Sequence, residues 1–413
     1  MQNISRRQFS AGAISLSAAG CATTGTQITD PAKQYLATPV DYFDATPAPF
    51  PQFAVAPEKP SARFDFSHID AVLQRYVIDL GPSDRFIPGR RKPGTGSRFV
   101  KGHESDYRLE GSRIAFAALR KKDRELLSRM SSSLISMGNQ KPLSNYSWLD
   151  QVSFWMNLHN ALIISQLAQN YPTAFPAKLK VGQDRTLLHD AKLVVIQGTP
   201  LSLRDIRAEI IYRHWRESLS VYGFFHGVVG GPKLPRRSYS ASDLPSLLGE
   251  NADEFINSLR GVRKGNGVVR ISKLYGDALP LFANLETDLR PHLKNFAKEN
   301  VASLLNTSDP LELSQFEDRI SDFSGGDISL SSSSFTPSTG VSPSGGTGAD
   351  NEGSVENPLA RITLPSDNSR LPPHAKDILV EIEQKGFRLL RSNGFKRKSG
   401  IVVIDDLPTD PTQ

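Results

Sequence analysis

The fold is decided by the segment SWLDQVSFWMNLHNALIISQLAQNYP, which occupies residues 147–172. Apolar residues recur along it with the period of a helix, which predicts an amphipathic helix over residues 148–170. The predicted buried stripe consists of Val152, Trp155, Leu158, Leu162 and Ile163. Ser147 and Asp150 have the spacing of a capping box at the helix start. Pro172 ends the helix because it lacks the amide hydrogen that a further turn needs.

Shorter elements follow this helix and indicate the fold class. They are a strand over residues 192–197, helices over 202–212 and 241–259, and a strand over 268–271 after the turn 264–267. Ser202 and Asp205 have the spacing of a helix cap. Long helices with few short strands favour an α+β fold. We expect a mostly helical single core domain with a small antiparallel sheet, flanked by disordered segments.

Composition divides the chain into five segments. They are a signal peptide (1–20), a flexible spacer (21–63), an α+β core domain (64–305), a disordered linker (306–373) and a short helix–strand segment (374–413). The linker is rich in Ser and Gly and holds too few apolar residues to offset the entropy of ordering. The last segment, with a helix over 376–390 and a strand over 401–404, either packs on the core or acts as a separate module.

The N-terminus has the pattern of an exported lipoprotein. Arg6 and Arg7 precede a weakly apolar run over residues 11–19, which is too short to cross a bilayer as a helix. Small residues then lead to Cys21, which predicts twin-arginine export, cleavage before Cys21 and lipid attachment to its thiol. The alternative is a disordered leader with an incidental arginine pair. Since Ala22 follows the cysteine, we expect the periplasmic side of the envelope, at the outer rather than the inner membrane.

Cysteine usage excludes several kinds of chemistry. Cys21 is the only cysteine in 413 residues, so the acylated chain has no thiol for a disulfide, a thiolate metal site or a nucleophile. No pair of histidines has metal-ligand spacing with a carboxylate partner, and no phosphate-binding or dinucleotide-binding glycine motif occurs. The sequence therefore predicts neither a metal nor a cofactor.

Charge is unevenly distributed along the chain. The formal net charge is +6. Residues 22–305 hold 37 Lys and Arg against 27 Asp and Glu, whereas residues 306–413 are net acidic. A basic globule on a membrane tether favours an anionic envelope component as its partner, although a solvated basic surface is the alternative. Nucleic acid is not expected, because the basic residues are not interleaved with aromatic residues in a recognisable module.

Four short motifs occur in one order along the core. They are FWMNLHNA at residues 154–161, TPLSLRDI at 199–206, GGPKL at 230–234 and ISKLYG at 271–276. Over roughly residues 107–277, this combination resembles the family called domain of unknown function 547. The resemblance implies an α+β domain and a site distantly similar to that of thiol hydrolases.

The chain departs from that family at the positions that would carry such chemistry. The family usually has a histidine and two cysteines where this chain has Val221, His226 and Gly231. It tends to have a glutamate at the position of Arg207 and a tyrosine at that of His159. A thiolate mechanism is therefore excluded for this member.

Four residues are candidates for a ligand pocket. Asn157 and Asn160 lie three residues apart on one helical face, where they either bind a ligand or tie a buried loop backbone to the helix. His159 lies on the same helix and is either structural or part of a site. His226 leads into the loop GGPKL, where backbone amides can line a pocket. It is the candidate catalytic residue.

Three functions remain open at this point. The leading hypothesis is a lipid-anchored envelope protein with a non-catalytic binding or structural domain. The alternative is a hydrolase that uses His226 as general base without a cysteine nucleophile, which requires a carboxylate or hydroxyl about 3 Å from the imidazole. The third is a scaffold that recruits a protein partner through residues 306–413.

Overall fold

A computed structural model describes residues 49–89, 104–278, 280–326, 373–392, 395–398 and 401–404. The helices are α1 (Ser67–Tyr76), α2 (Lys121–Gln140), α3 (Trp148–Gln169), α4 (Asp205–Trp215), α5 (Leu244–Ile256), α6 (Leu274–Asp277), α7 (Arg290–Phe296), α8 (Glu299–Leu305) and α9 (Pro373–Ser392). The strands are β1 (Val77–Asp79), β2 (Ser112–Ile114), β3 (Lys180–Val181), β4 (Thr186–Leu187), β5 (Val194–Ile196), β6 (Thr199–Leu201), β7 (Val262–Lys264), β8 (Val269–Ser272), β9 (Leu311–Gln315), β10 (Phe395–Lys398) and β11 (Ile401–Ile404).

Helix α3 is the centre of the core. Its predicted cap is confirmed, because the Ser147 hydroxyl accepts a hydrogen bond from the Asp150 amide at 3.1 Å. Eighteen of its 22 residues are buried, so the prediction of a single apolar stripe understates its burial. A helix that is covered on every side lies inside the domain rather than on its surface. α2 and α4 both pack against it.

Helix α4 begins at the predicted cap and extends beyond the predicted end. The Asp205 amide donates to the Ser202 hydroxyl at 3.1 Å, and the Ser202 amide donates to the Asp205 carboxylate at 2.7 Å. The helix has π-type hydrogen bonding and runs to Trp215, three residues past the predicted end. Arg216, with φ of 47°, ends it in the left-handed region. The buried indole of Trp215 accounts for the extra turn.

The strands form five small sheets. Four are two-stranded and antiparallel, pairing β1 with β2, β3 with β4, β5 with β6, and β10 with β11. The fifth has the order β7-β8-β9. The predicted turn at 264–267 joins β7 to β8, which are antiparallel, but β9 runs parallel to β8. The α+β class with small antiparallel sheets is confirmed, and among the described strands β9 adds a parallel neighbour to the β7–β8 pair.

The folded core continues past the boundary predicted at residue 305. β9 pairs with β8, and the Val269 amide donates to the carbonyl of Pro310 at 2.9 Å. Ile320 and Phe323 are buried. Composition places this stretch with the Ser- and Gly-rich sequence after it because its apolar residues are sparse. Leu311, Ile320 and Phe323, however, pack against distant parts of the chain, and a local sequence pattern does not show such contacts.

The C-terminal helix packs on the core. Ile378 and Ile382 of α9 lie in one apolar cluster with Leu80 and Leu109. The fully buried Lys385 ammonium donates to the carbonyl oxygens of Leu80 and Leu109, both at 2.8 Å. The choice between docking and a separate module is thus decided for α9. The strand predicted over 401–404 is confirmed as β11.

The signal peptide, Cys21 and much of the spacer and linker lie outside the described residues. The same holds for residues 327–372 and 405–413. Among the residues that the structure does describe, none of the helices combines the length and the apolar character needed to cross a bilayer.

Candidate functional site

The side-chain amides of Asn157 and Asn160 each donate one hydrogen bond to a loop backbone and accept one from it. Asn157 donates to the Tyr239 carbonyl at 2.8 Å and accepts from the Tyr239 amide at 2.9 Å. Asn160 donates to the Gly223 carbonyl at 2.9 Å and accepts from the Phe225 amide at 2.8 Å. Both amides are therefore used to fix loops against α3, as one of the two interpretations predicts.

The space beside these two side chains is too small for an organic ligand. Asn157 and Asn160 line a cavity of about 10 Å³, together with apolar residues of α1 and Leu234. Such a volume holds at most about one water molecule. Any ligand of the domain must therefore bind elsewhere.

His159 is held as a neutral imidazole between an amide and a guanidinium. Its Nδ1 lies 3.1 Å from Asn160 Oδ1, and its Nε2 lies 3.1 Å from Arg207 Nη1. A guanidinium can only donate, so Nε2 accepts and Nδ1 carries the proton. Burial, and next the charge of Arg207, lower the pKa of His159 well below its ordinary value of 6.5.

His226 lies beside two other histidines and has no acidic partner in the described part of the chain. Its ring centre is 6.3 Å from that of His159 and 6.1 Å from that of His189. The side chain is 5% exposed, and Nε2 has no hydrogen-bond partner among the described residues. Burial, and next the charge of Arg207, lower the pKa of His226 well below 6.5.

Sequence reasoning missed His189 as a member of this group. It follows β4, and its Nδ1 is buried without a partner among the described residues. Burial, followed by the charges of Arg207 and Arg204, lowers the pKa of His189 to about 3. No spacing signal could have found it, since 37 residues separate it from His226 and 30 from His159 in the chain.

Arg207 is the centre of the group, although sequence reasoning noted it only as a departure from the family pattern. It lies on α4 and is 2% exposed. Besides its bond to His159, Nη2 lies 3.8 Å from a carboxylate oxygen of Asp277, whose side chain is 52% exposed. Nε has no partner among the described residues, and neither has the buried hydroxyl of Tyr212. We call His159, His189, His226 and Arg207 the histidine–arginine cluster.

The GGPKL loop passes directly over His226. A Cβ built on Gly231 would lie 3.5 Å from His226 Cβ, an ordinary contact. A Cβ on Gly230 would instead collide with the backbone of Glu317, so that position needs glycine. The position at which the resembling family places a cysteine is therefore adjacent to His226.

The cluster combines one cation with neutral imidazoles. No nucleophilic hydroxyl or carboxylate hydrogen-bonds to His226 among the described residues. Over the same ranges, no group of three or more His, Cys, Asp or Glu side chains is placed to hold a metal ion. The arrangement is suited to donating hydrogen bonds to an acceptor rather than to removing a proton.

Residues 143–256 match the family model described as protein of unknown function, DUF547. This confirms the resemblance found in the sequence motifs for residues 143–256. The matched segment includes α3, α4 and the whole histidine–arginine cluster. Neither the curated proteins nor the solved structures include a significant match to the chain.

Proposed function

We propose that this chain is an exported, lipid-anchored envelope protein whose DUF547 domain binds an envelope component without catalysing a reaction. The arginine pair before a short apolar run supports export, and the small residues before Cys21 support lipid attachment. The net positive charge of residues 22–305 supports an anionic partner.

One observation carries the non-catalytic part of the proposal. Arg207 donates to His159 and places its positive charge beside His226. A general base works best when its pKa is near the working pH. Because burial and this charge lower the pKa of His226 well below 6.5, its imidazole is a weak proton acceptor.

The alternative of a hydrolase has less support. It requires a carboxylate or hydroxyl about 3 Å from His226 to orient the imidazole or to act as nucleophile. Among the described residues, the ring neighbours of His226 are His159 and His189. Each of them is held neutral and cannot take the part of an orienting carboxylate.

The non-catalytic proposal is tested with the full chain and a panel of model amide, ester and glycosidic substrates. We expect no turnover above that of buffer, and the same result for His226→Ala. Turnover by the wild-type chain that disappears in His226→Ala would overturn the proposal in favour of the hydrolase.

The anchoring part is tested separately in cells with an alkyne-tagged fatty acid. We expect the label on the wild-type chain in the outer-membrane fraction, and none on Cys21→Ser. An unlabelled wild-type chain with an uncleaved leader would contradict it. A protein partner that binds through residues 306–413 stays a prediction, and the buried face of α9 is not open to it because the core covers that face.

A further inference from the structure

Four arginines are almost fully buried in the described part of the chain: Arg108, Arg113, Arg207 and Arg260. Three of them have oxygen acceptors. Arg108 Nε donates to Glu381 at 2.7 Å, Arg113 donates to four backbone carbonyl oxygens at 2.8–3.1 Å, and Arg260 pairs with Glu254. Three of the four buried guanidinium groups in the described residues thus donate hydrogen bonds to oxygen acceptors.

Arg207 is different, because its hydrogen bond goes to a nitrogen. Nη1 donates its hydrogen bond to His159 Nε2. Nε has no partner among the described residues, and Nη2 reaches Asp277 only at 3.8 Å, beyond hydrogen-bond length. Nε and Nη2 form one edge of the planar guanidinium, and that edge lacks an oxygen acceptor. A buried cation in this state is costly unless something supplies the missing charge and hydrogen bonds.

Further buried donors without acceptors occur in the histidine–arginine cluster and on α4. His226 Nε2, His189 Nδ1 and the Tyr212 hydroxyl are buried and have no partner in the described ranges. Each neutral imidazole can carry its proton on the free nitrogen, and the hydroxyl can donate as well. Arg207 influences the protonation of His226 and His189 through its charge. Arg207, His189 and His226 of the histidine–arginine cluster therefore each have a buried nitrogen without a hydrogen-bond partner among the described residues.

Asp277 is an exposed group that lies close to the Nε–Nη2 edge of Arg207, 3.8 Å from Nη2. Its side chain is half exposed at the end of the short helix α6. A planar carboxylate matches the Nε–Nη2 edge with two parallel hydrogen bonds. The position of the Asp277 carboxylate shows that this group can approach the edge from the surface.

We propose that the Nε–Nη2 edge of Arg207, with His226 and His189, binds a carboxylate group of the ligand, which approaches beside Asp277. The inference rests on the proposed binding function and names the chemical group that this site recognises. It also gives the buried cation the oxygen acceptor that its Nε–Nη2 edge lacks among the described residues.

The test uses the full chain with ¹³C-labelled acetate as the probe, observed by NMR line broadening at constant ionic strength, with chloride as reference. We expect saturable broadening for the wild-type chain and a loss of affinity of at least about tenfold in Arg207→Met. Arg207→Lys keeps the positive charge but lacks the planar Nε–Nη2 edge, so its affinity for acetate falls as well. Asp277→Asn removes a competing carboxylate and tightens binding by about threefold.

The matched control is Arg213→Met, which changes an arginine of the same helix that pairs with Glu209. It should bind acetate like the wild type. Circular dichroism shows whether each variant is folded before binding is compared. Arg207→Met loses the donor to His159 Nε2, so Arg207→Lys carries the test if Arg207→Met does not fold.

The outcomes separate this inference from the proposed function. No saturable acetate binding, or equal binding by Arg207→Met, would overturn the carboxylate site and leave a binding domain that acts elsewhere. Inorganic phosphate that binds more tightly than acetate would overturn the carboxylate assignment. Acetate binding that depends on Arg207, in a chain that also hydrolyses a model substrate, would support the site while the non-catalytic proposal fails.

Discussion

Arg207 Nη1 donates a hydrogen bond to His159 Nε2 at 3.1 Å, which links α4 to α3 within the segment that matches the DUF547 family model. The link continues through His159 Nδ1 to Asn160, which holds the backbone of Gly223 and Phe225. This series of hydrogen-bonded side chains therefore fixes the tautomer of His159, holds α4 against α3 and positions the backbone that leads to His226. Its parts can be tested singly.

Asn160→Ala should destabilise the domain by about 2–4 kcal/mol, because two buried backbone groups and His159 lose their partners. Urea unfolding followed by circular dichroism measures this loss. Asn170→Ala is the matched control, since that amide is exposed at the end of α3 and bonds within its own turn. It should change the free energy of unfolding by less than about 0.5 kcal/mol. Equal effects of the two substitutions would contradict the role given to Asn160.

Stability should fall as the pH falls below 6.5. Burial lowers the pKa of His189 to about 3, so below pH 6.5 the unfolded chain binds a proton that the folded chain does not. Its contribution is complete above pH 6.5 and is lost as the pH falls towards 3. His189→Gln should reduce the slope of the unfolding free energy against pH by about 1.4 kcal/mol per pH unit between pH 5.5 and 4. Identical slopes would show that His189 takes up its proton in the folded state.

Glu217 should act in the opposite direction. Burial raises its pKa to about 8, so between pH 4.5 and 8 the folded chain keeps a proton that the unfolded chain releases. Its contribution is complete below pH 4.5 and is lost as the pH rises through 8. Glu217→Gln should match the wild type at pH 4 and be more stable by roughly 1–3 kcal/mol at pH 8.5. A difference that does not depend on pH would refute a buried protonated carboxyl.

Lys385→Glu should release α9 from the core. The ammonium bonds to the carbonyl oxygens of Leu80 and Leu109, and a carboxylate there would face two acceptors with no hydrogen to donate. Hydrogen exchange of the α9 amides should become fast, while α3 stays protected. Glu383→Lys, at an exposed position of the same helix, is the matched control and should leave exchange unchanged. Protected α9 amides in Lys385→Glu would mean that the buried lysine does not hold the helix.

Local signals in the sequence predicted the elements that depend on neighbouring residues. The caps at Ser147 and Ser202, the turn at 264–267 and the strand over 401–404 all rest on contacts within a few residues. The family resemblance rests on similar short motifs and is confirmed for residues 143–256.

The elements that depend on distant contacts could not be predicted. The sequence of β9 is typical of a polar linker, and its strand forms by pairing with β8. The burial of 18 of the 22 residues of α3 depends on contacts with other helices. The histidine–arginine cluster brings together positions 159, 189, 207 and 226, which share no spacing. Arg207 stood out only because it replaces a family glutamate, and its contact with His159 belongs to the tertiary structure.

The account depends most directly on His226 being a neutral imidazole beside a cation. Long-range ¹H–¹⁵N spectra of the full chain with ¹⁵N-labelled histidine, with the signal assigned through His226→Gln, would report its protonation between pH 8 and 5.5. The account predicts nitrogen shifts of a neutral ring over the whole range. A titration midpoint near pH 7 would contradict it and would make His226 a competent general base.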